Sequence, residues 1–256
     1  MKYLLYCITT EGLPWAVGPE LLGVDERPVF FIIENGLKAA VSEINHQTSA
    51  LKHPALMDGM EKNLAPNILQ FSAYEKVVNV MHQHHGVIPL RYGSLFENEA
   101  FVIQHLSENH EQYKELLSIL VDCVEMGLRI LPQQAIACPS NTQASSPLSS
   151  GYSYLESRRK HYAPDMLPIK ELKELFQQYC CLFEGLFVKC KMETPLDQII
   201  TGAYHIPLPS FYFLVPKRLV QAFCETLRNN APSSEKAVKL LLNGPWPPYN
   251  FCTTTT

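Results

Sequence analysis

The run His82-Gln83-His84-His85 is the first group of side chains in the sequence that could carry chemistry. Imidazole nitrogens can bind a metal, but a specific site needs three or four ligands in a fixed geometry. The run lies at the C-terminal end of a predicted helix. It is followed by Gly86, a residue type that commonly ends helices. Because polar or cationic side chains also suit the C-terminal end of a helix dipole, we favour a helix terminus and predict no metal site.

Arg91 is the second candidate, since it is the cation of a mostly apolar segment, residues 87–96. A guanidinium group binds carboxylates and phosphates through two parallel hydrogen bonds. Arg91 could therefore pair with Glu75 or Glu125 inside the domain, or it could bind an anionic ligand or partner. We favour the internal ion pair, which would specify geometry without indicating catalysis.

The third candidate is the segment 244–251, Gly-Pro-Trp-Pro-Pro-Tyr-Asn-Phe, which directly follows a predicted strand. Its three prolines hold the backbone extended and leave few amide donors. On this stiff frame stand Trp246, Tyr249 and Phe251, which lose little conformational entropy when they pack. The segment could fold back and seal a core, or it could dock another protein, because Trp and Tyr are frequent interface anchors.

No motif of a known catalytic class accompanies these candidates. The sequence contains no glycine-rich phosphate loop and no H-E-x-x-H, G-x-S-x-G or EF-hand pattern. Its eight cysteines are scattered without a C-x-x-C pair, so we expect free thiols that pack as small hydrophobic side chains. The sequence therefore predicts a protein that is not an enzyme and that uses no cofactor.

The charge and the hydropathy pattern exclude two classes of partner. The net charge is −4, with 9 Lys+Arg against 16 Asp+Glu in residues 1–133 and 12 against 9 in the remainder. A nucleic-acid-coating protein needs clustered cations, so we expect no nucleic acid. The longest uninterrupted apolar stretch is far shorter than the roughly 20 residues of a bilayer-spanning helix. We expect no membrane span, no secretory signal and a cytoplasmic location.

The elements that would position these residues fall into two α+β units. Residues 3–8 are apolar on both faces, as in a central strand, and Asn35-Gly36 joins two strand-like runs as a hairpin turn. The first unit, residues 1–133, is predicted to be a ferredoxin-like antiparallel sheet with two helices on one face. Its further elements are a helix at 66–83, an edge segment at 87–92, a helix at 97–120 and a half-buried strand at 124–130.

The second unit begins after an uncharged, proline- and serine-rich linker at 134–150. Residues 151–256 are predicted to form a modified ferredoxin-like α+β domain with extra helices, ending in the aromatic and proline-rich segment. Because a strand, a helix and a strand follow one another in its second half, we expect those two strands to pair in parallel. Its predicted elements are a short helix at 151–162, a helix at 168–189, a strand at 210–215, a helix from Pro216 and a strand at 236–242.

Several of these segments together resemble the GvpF/GvpL family of gas vesicle proteins. The ending at 244–251 is similar to the family's signature ending, and residues 87–96 resemble a family segment that reads Pro-Leu-Arg-Phe-Gly, with Tyr92 in place of the Phe. Tyr74-Glu75 matches a helix position that often reads His-Glu in the family, and 124–128 is similar to the strand after the second helix. The resemblance covers nearly the whole chain.

The resemblance implies a role in building gas vesicles, the hollow protein shells that give aquatic microbes buoyancy. Family members are accessory or minor structural proteins that bind the small hydrophobic shell protein GvpA. By this resemblance we expect GvpA, and other gas vesicle accessory proteins, as partners, and a location at the gas vesicle shell. The residues expected to bind the partner are Trp246, Tyr249, Phe251 and Arg91.

An alternative function stays open at the level of sequence. A ferredoxin-like α/β-barrel enzyme could use the histidine run or Arg91 in a pocket for a metal or a small ligand. The two functions differ in what the purified protein would carry, since the enzyme predicts a bound metal, haem or small molecule.

Overall fold

The computed structural model describes residues 2–11, 21–44, 64–132, 168–194, 208–230 and 238–252. These residues form an α+β protein with two antiparallel sheets, as the sequence predicts. The strands are β1 Lys2–Thr10, β2 Phe30–Glu34, β3 Leu37–Ile44, β4 Ile88–Pro89, β5 Leu95–Phe96, β6 Cys123–Pro132, β7 Lys189–Glu193, β8 Ser210–Pro216 and β9 Val238–Trp246. The helices are α1 Leu64–His84, α2 Glu99–Glu108, α3 His110–Leu120, α4 Ile169–Leu182 and α5 Val220–Asn229.

The first sheet has the strand order β2-β3-β1-β4, and β5 also pairs with β1. The predicted hairpin between β2 and β3 is confirmed, and its turn residues Asn35 and Gly36 have φ values of 51° and 82°. Both values lie in the left-handed region that Asn and Gly tolerate better than other residues. The turn chemistry therefore sets the register of this sheet edge.

Helices cover the first sheet on both faces, which corrects the prediction of two helices on one face. α1 packs with Leu4 and Tyr6 of β1, whereas α2 and α3 pack with Leu5 and Ile8 of the same strand. Successive side chains of a strand point to opposite faces, so an all-apolar strand needs cover on both. The predicted single helix at 97–120 is divided at Asn109, whose side-chain amide donates to the carbonyl of His105.

The second sheet has the order β7-β8-β6-β9, and β6 is one of its two central strands. The sequence places this strand, as residues 124–130, in a first domain that ends at 133. That boundary is wrong, because β6 forms its ladders with β8 and β9 rather than with the first sheet. With β6 included, the described elements of the second unit follow the order β6-α4-β7-β8-α5-β9, the ferredoxin-like β-α-β-β-α-β sequence of elements.

Helices α4 and α5 cover one face of the second sheet. The alternation predicted for β6 is confirmed, since Val124, Met126, Leu128 and Ile130 all enter the core beneath these helices. The predicted parallel pairing of β8 with β9 is wrong. Both strands run antiparallel to β6, which lies between them, so they are parallel to each other without being neighbours. The predicted linker at 134–150 and the predicted helix at 151–162 lie outside the described residues.

The two units share a core and a set of polar contacts. Leu214 of β8 is buried in the core formed by β1, α2 and α3 of the first unit. Just after β8, the Lys217 amide donates to the Asp122 carbonyl at 2.7 Å, and its ammonium donates to the His82 carbonyl at 2.8 Å. The end of β8 is therefore joined both to the start of β6 and to the end of α1.

Candidate partner-binding site

The C-terminal segment 244–252, which we call the strap, begins within β9, where the register of the β6–β9 ladder shifts between Glu125 and Gly127. Gly244 has a φ of 115°, and a Cβ atom there would lie 2.7 Å from the Glu125 carbonyl oxygen. Both facts require glycine at this position. Trp246 still pairs with Glu125 in the ladder, and the two following prolines, Pro247 and Pro248, are buried.

The inner side of the strap packs against both cores of the first unit. Tyr249 contacts the core beneath α1, while Phe251 and Cys252 contact the core beneath α2 and α3. Of the two roles predicted for this segment, Tyr249 and Phe251 therefore have the first, which is to seal a core. The sealed cores belong to the first unit, although the strap continues from the last strand of the second.

A buried carboxylate anchors the strap between these contacts. Glu125 is 5% exposed, and its two carboxylate oxygens accept hydrogen bonds from the Asn250 amide at 2.8 Å and from its side-chain nitrogen at 2.6 Å. Burial raises the pKa of Glu125, while the two bonds from Asn250 lower it. The pairing satisfies a carboxylate that would otherwise be costly to bury.

The outer side of the strap presents Trp246. Its side chain is 48% exposed, and the preceding Pro245 is exposed as well. The two interpretations of the strap thus apply to different residues: Tyr249 and Phe251 pack inward, and Trp246 faces solvent on a backbone held by its neighbours.

The segments that resemble family motifs meet beside the strap. The Tyr74 hydroxyl donates to the Leu90 carbonyl at 2.9 Å and also lies 3.1 Å from the Tyr6 carbonyl. The Tyr92 ring packs edge-on against Tyr74 with centroids 5.2 Å apart, and Tyr249 joins the same core. Burial raises the pKa of Tyr74, so this phenol stays protonated and acts as a donor.

Arg91 forms no ion pair with Glu75 or Glu125, all three of which the structure describes, so the predicted internal pair is wrong. The Glu125 carboxylate is paired with Asn250. The Arg91 side chain is exposed, and the Arg91 carbonyl accepts two hydrogen bonds from Ser94, one from the amide and one from the hydroxyl. Glu75 is half-buried, and burial raises its pKa. The guanidinium of Arg91 is thus presented on the surface.

The histidine run ends α1 as predicted, but two of its side chains are buried. His82 is 6% exposed and His85 is 8% exposed, and both ring nitrogens of His82 lack a hydrogen-bond partner. Burial, with a smaller contribution from the charge of Lys217, lowers the pKa of His82 to about 4. The Lys217 ammonium, rather than a protonated His82, therefore supplies the cation that bonds to the carbonyl at this helix end.

The described residues contain no group of three or more His, Cys, Asp or Glu side chains placed to hold a metal ion. Within the same ranges, none of the helices combines the length and the apolar character that a bilayer span requires. Of the residues predicted to bind a partner, Trp246 and Arg91 have exposed side chains.

Two partnerships at this site were missed by the sequence prediction. Asn250 occupies a position of the strap to which no role was assigned, and Lys217 was predicted only as part of a helix start. A glutamate inside an apolar strand, such as Glu125, does signal that a buried partner is required. Sequence spacing could not show that Asn250, 125 residues away, supplies it.

Comparison with solved structures defines the class of the fold. The chain is similar to the crystal structure of the gas vesicle protein GvpF from Anabaena sp. PCC7120, with a TM-score of 0.65 and 17% sequence identity over 100% of this chain and 97% of that one. It is similar in the same way to GvpF from Microcystis aeruginosa, with a TM-score of 0.63 and 16% identity over 99% of each chain. The class is thus the two-unit, ferredoxin-like α+β fold of these structures.

Sequence comparison defines the family. Residues 2–253 match the family described as gas vesicle synthesis protein GvpL/GvpF. Gas vesicle protein L of Streptomyces sp. (strain CB03234) is 24% identical over 190 residues, which cover 70% of this chain and 67% of that protein. The chain belongs to the GvpL/GvpF family, and its role is that of a gas vesicle protein.

We expect His82 to make the protein less stable in acid. The pKa of His82 is about 4 in the folded state and about 6.5 in the unfolded chain, so the unfolded state takes up a proton first. The free energy of unfolding should fall by about 3 kcal/mol as the pH drops from 6.5 to 4. Urea titrations across this range should show a shallower dependence for His82→Leu. Gln83→Ala, at an exposed neighbouring residue that does not titrate, should keep the wild-type dependence, and equal slopes in all three proteins would contradict the assignment.

The strap should divide into a structural and an exposed part under mutation. Phe251→Ala removes a ring packed on a core and should lower the free energy of unfolding by about 2–3 kcal/mol. Trp246→Ala removes a half-exposed ring and should cost about 1 kcal/mol or less. Chemical denaturation of the two variants measures both values, and equal losses would show that Trp246 is also structural.

Proposed function

We propose that this protein binds the gas vesicle shell protein GvpA and supports the assembly of the shell. In this proposal it acts by binding rather than by catalysis, in the cytoplasm and at the gas vesicle shell. The observation that carries the proposal is Trp246, a large aromatic side chain that is 48% exposed on a strap whose backbone is constrained on both sides of it.

The frame around Trp246 supports a role in recognition. On one side Gly244 is confined by the Glu125 carbonyl, and on the other side two buried prolines lead to the Asn250–Glu125 pair. Because the backbone on both sides of Trp246 is constrained, the segment loses little conformational freedom when a partner covers it, which favours binding. Trp is enriched among the residues that dominate interface energetics.

The chemistry of the expected partner matches such a surface. A small hydrophobic shell protein must keep its apolar face covered before it joins the shell, because exposed apolar patches drive aggregation. An exposed Trp offers the apolar contact, and Arg91 on a separate turn offers a cation for a carboxylate of the partner. Other gas vesicle accessory proteins are further partners in this proposal. Tyr249 and Phe251 serve it indirectly, since they hold the strap in place.

Co-expression with GvpA tests the proposal. We expect near-stoichiometric recovery of GvpA with this protein and none with an unrelated soluble protein. Trp246→Ala should reduce the recovery about tenfold or more, as expected for the loss of an interface anchor. Arg91→Ala should have a smaller effect that fades as the salt concentration rises.

Val188→Ala is the matched control for the tryptophan variant. Val188 is 51% exposed, and it lies next to β7, at the edge of the second sheet opposite to the strap. Recovery of GvpA that Trp246→Ala leaves intact would remove the strap from the interface. Absence of recovery with the wild-type chain would direct the search to the other accessory proteins.

A further inference from the structure

Two cysteines that are distant in the sequence come into contact at the end of α4. The Sγ atoms of Cys180, on α4, and Cys190, on β7, lie 3.4 Å apart. Both side chains are half-buried and pack on the edge of the core beneath α4 and α5. No other sulfur–sulfur contact within hydrogen-bonding distance is found among the cysteines that the structure describes.

Hydrogen bonds and core packing fix the segment that connects the two cysteines, so the fold itself brings the two sulfur atoms together. The Glu184 amide donates to the Cys181 carbonyl, and the Leu186 amide donates to the Phe183 carbonyl. Gly185 takes the positive φ of 79° that this turn requires. Phe183 is fully buried, and its ring lies 3.9 Å from that of Phe223, which fixes the end of α4 on the core.

We propose that Cys180 and Cys190 form a reversible intramolecular disulfide, which makes the joint between α4 and β7 a thiol-oxidation site. A disulfide needs a sulfur–sulfur distance of about 2.05 Å, so the two sulfurs must approach by little more than 1 Å. Small rotations about the two Cα–Cβ bonds provide such a movement. The adjacent Cys181 is exposed and takes no part in the bond.

The oxidant is a small disulfide such as oxidised glutathione, and the reaction proceeds in two exchange steps. The Cys190 thiolate attacks one glutathione sulfur, which forms a Cys190–glutathione mixed disulfide and releases one glutathione thiolate. The Cys180 sulfur then loses its proton and attacks Cys190, which releases the second glutathione. The protein loses two electrons and two protons, and one oxidised glutathione becomes two reduced glutathiones.

The order of attack follows from the surroundings of Cys180. Burial, together with the contact to Cys190, raises the pKa of Cys180 to about 12, so its thiol is a poor nucleophile towards a reagent from solution. Once Cys190 carries the leaving group, the short distance between the two sulfurs favours the second step. We therefore expect slow formation, over minutes to hours, and ready reversal by a dithiol reductant.

The bond would tie the end of α4 to an edge strand of the second sheet. It closes a short loop, because nine residues separate the two cysteines. Closing such a loop restricts the unfolded chain and should raise the melting temperature by about 5–10 °C. The oxidised and reduced forms would thus differ in the stability of one edge of the protein.

Incubation of the full-length reduced protein with oxidised glutathione tests the proposal. Mass spectrometry after alkylation should show the loss of two free thiols, and trypsin should release two linked peptides because Lys189 separates Cys190 from Cys180. Cys180→Ser and Cys190→Ser should each abolish the link and the rise in melting temperature. Cys181→Ser, the adjacent exposed control, should retain both. Circular dichroism checks that each variant is folded, and alanine at the same position replaces any serine variant that is not.

Three results would overturn the proposal. The first is a wild-type protein that keeps all its thiols at full oxidation of the glutathione. The second is stable glutathionylation of Cys190 without a second step, which would show that the sulfurs cannot approach. The third is a bond that includes Cys181, which would show that the end of α4 unwinds before it reacts.

Discussion

The two hydrogen bonds from Asn250 to the buried carboxylate of Glu125 hold the strap in place. Glu125 lies on a central strand of the second sheet, and a carboxylate there is stable only if it is paired. With the pair formed, Tyr249 and Phe251 reach the two cores of the first unit, and Trp246 is left facing solvent. Glu125 is thus paired with Asn250 rather than with Arg91, one of the partners predicted from the sequence. The pairing of Asn250 with Glu125 thus determines which residues of the strap pack inward and which face solvent.

The end of α1 is the second place where the two units depend on each other. Lys217 donates to the last carbonyls of the helix, where a cation interacts favourably with the helix dipole. His82 lies beneath this contact as a neutral ring, because burial and the nearby ammonium both disfavour its charged form. The histidine run is therefore a structural feature of the joint between the units. The exposed part of the candidate site lies elsewhere, on the strap and on the turn that carries Arg91.

The segments that resemble family motifs are distant in the sequence but close in space. The Tyr74 hydroxyl holds the carbonyl of Leu90, the ring of Tyr92 packs on Tyr74, and Tyr249 completes the same core. The residues of these segments contact one another. The motifs therefore account for the position of the strap as well as for what the protein binds. In the function proposed above, the partner is recognised by residues that the motifs leave exposed.

The α+β class, the Asn35-Gly36 hairpin and the alternation of β6 could be predicted from the sequence, because turn chemistry and the periodicity of apolar residues are local properties. The family could also be predicted, through motifs of several adjacent residues. The folded chain was needed to show that β6 joins the second sheet, that helices cover both faces of the first sheet, and which groups Arg91, Glu125 and Lys217 contact. The contact between Cys180 and Cys190 could not be predicted from their spacing in the sequence either. Periodicity shows which face of an element is buried, but the element that covers it depends on how the whole chain packs.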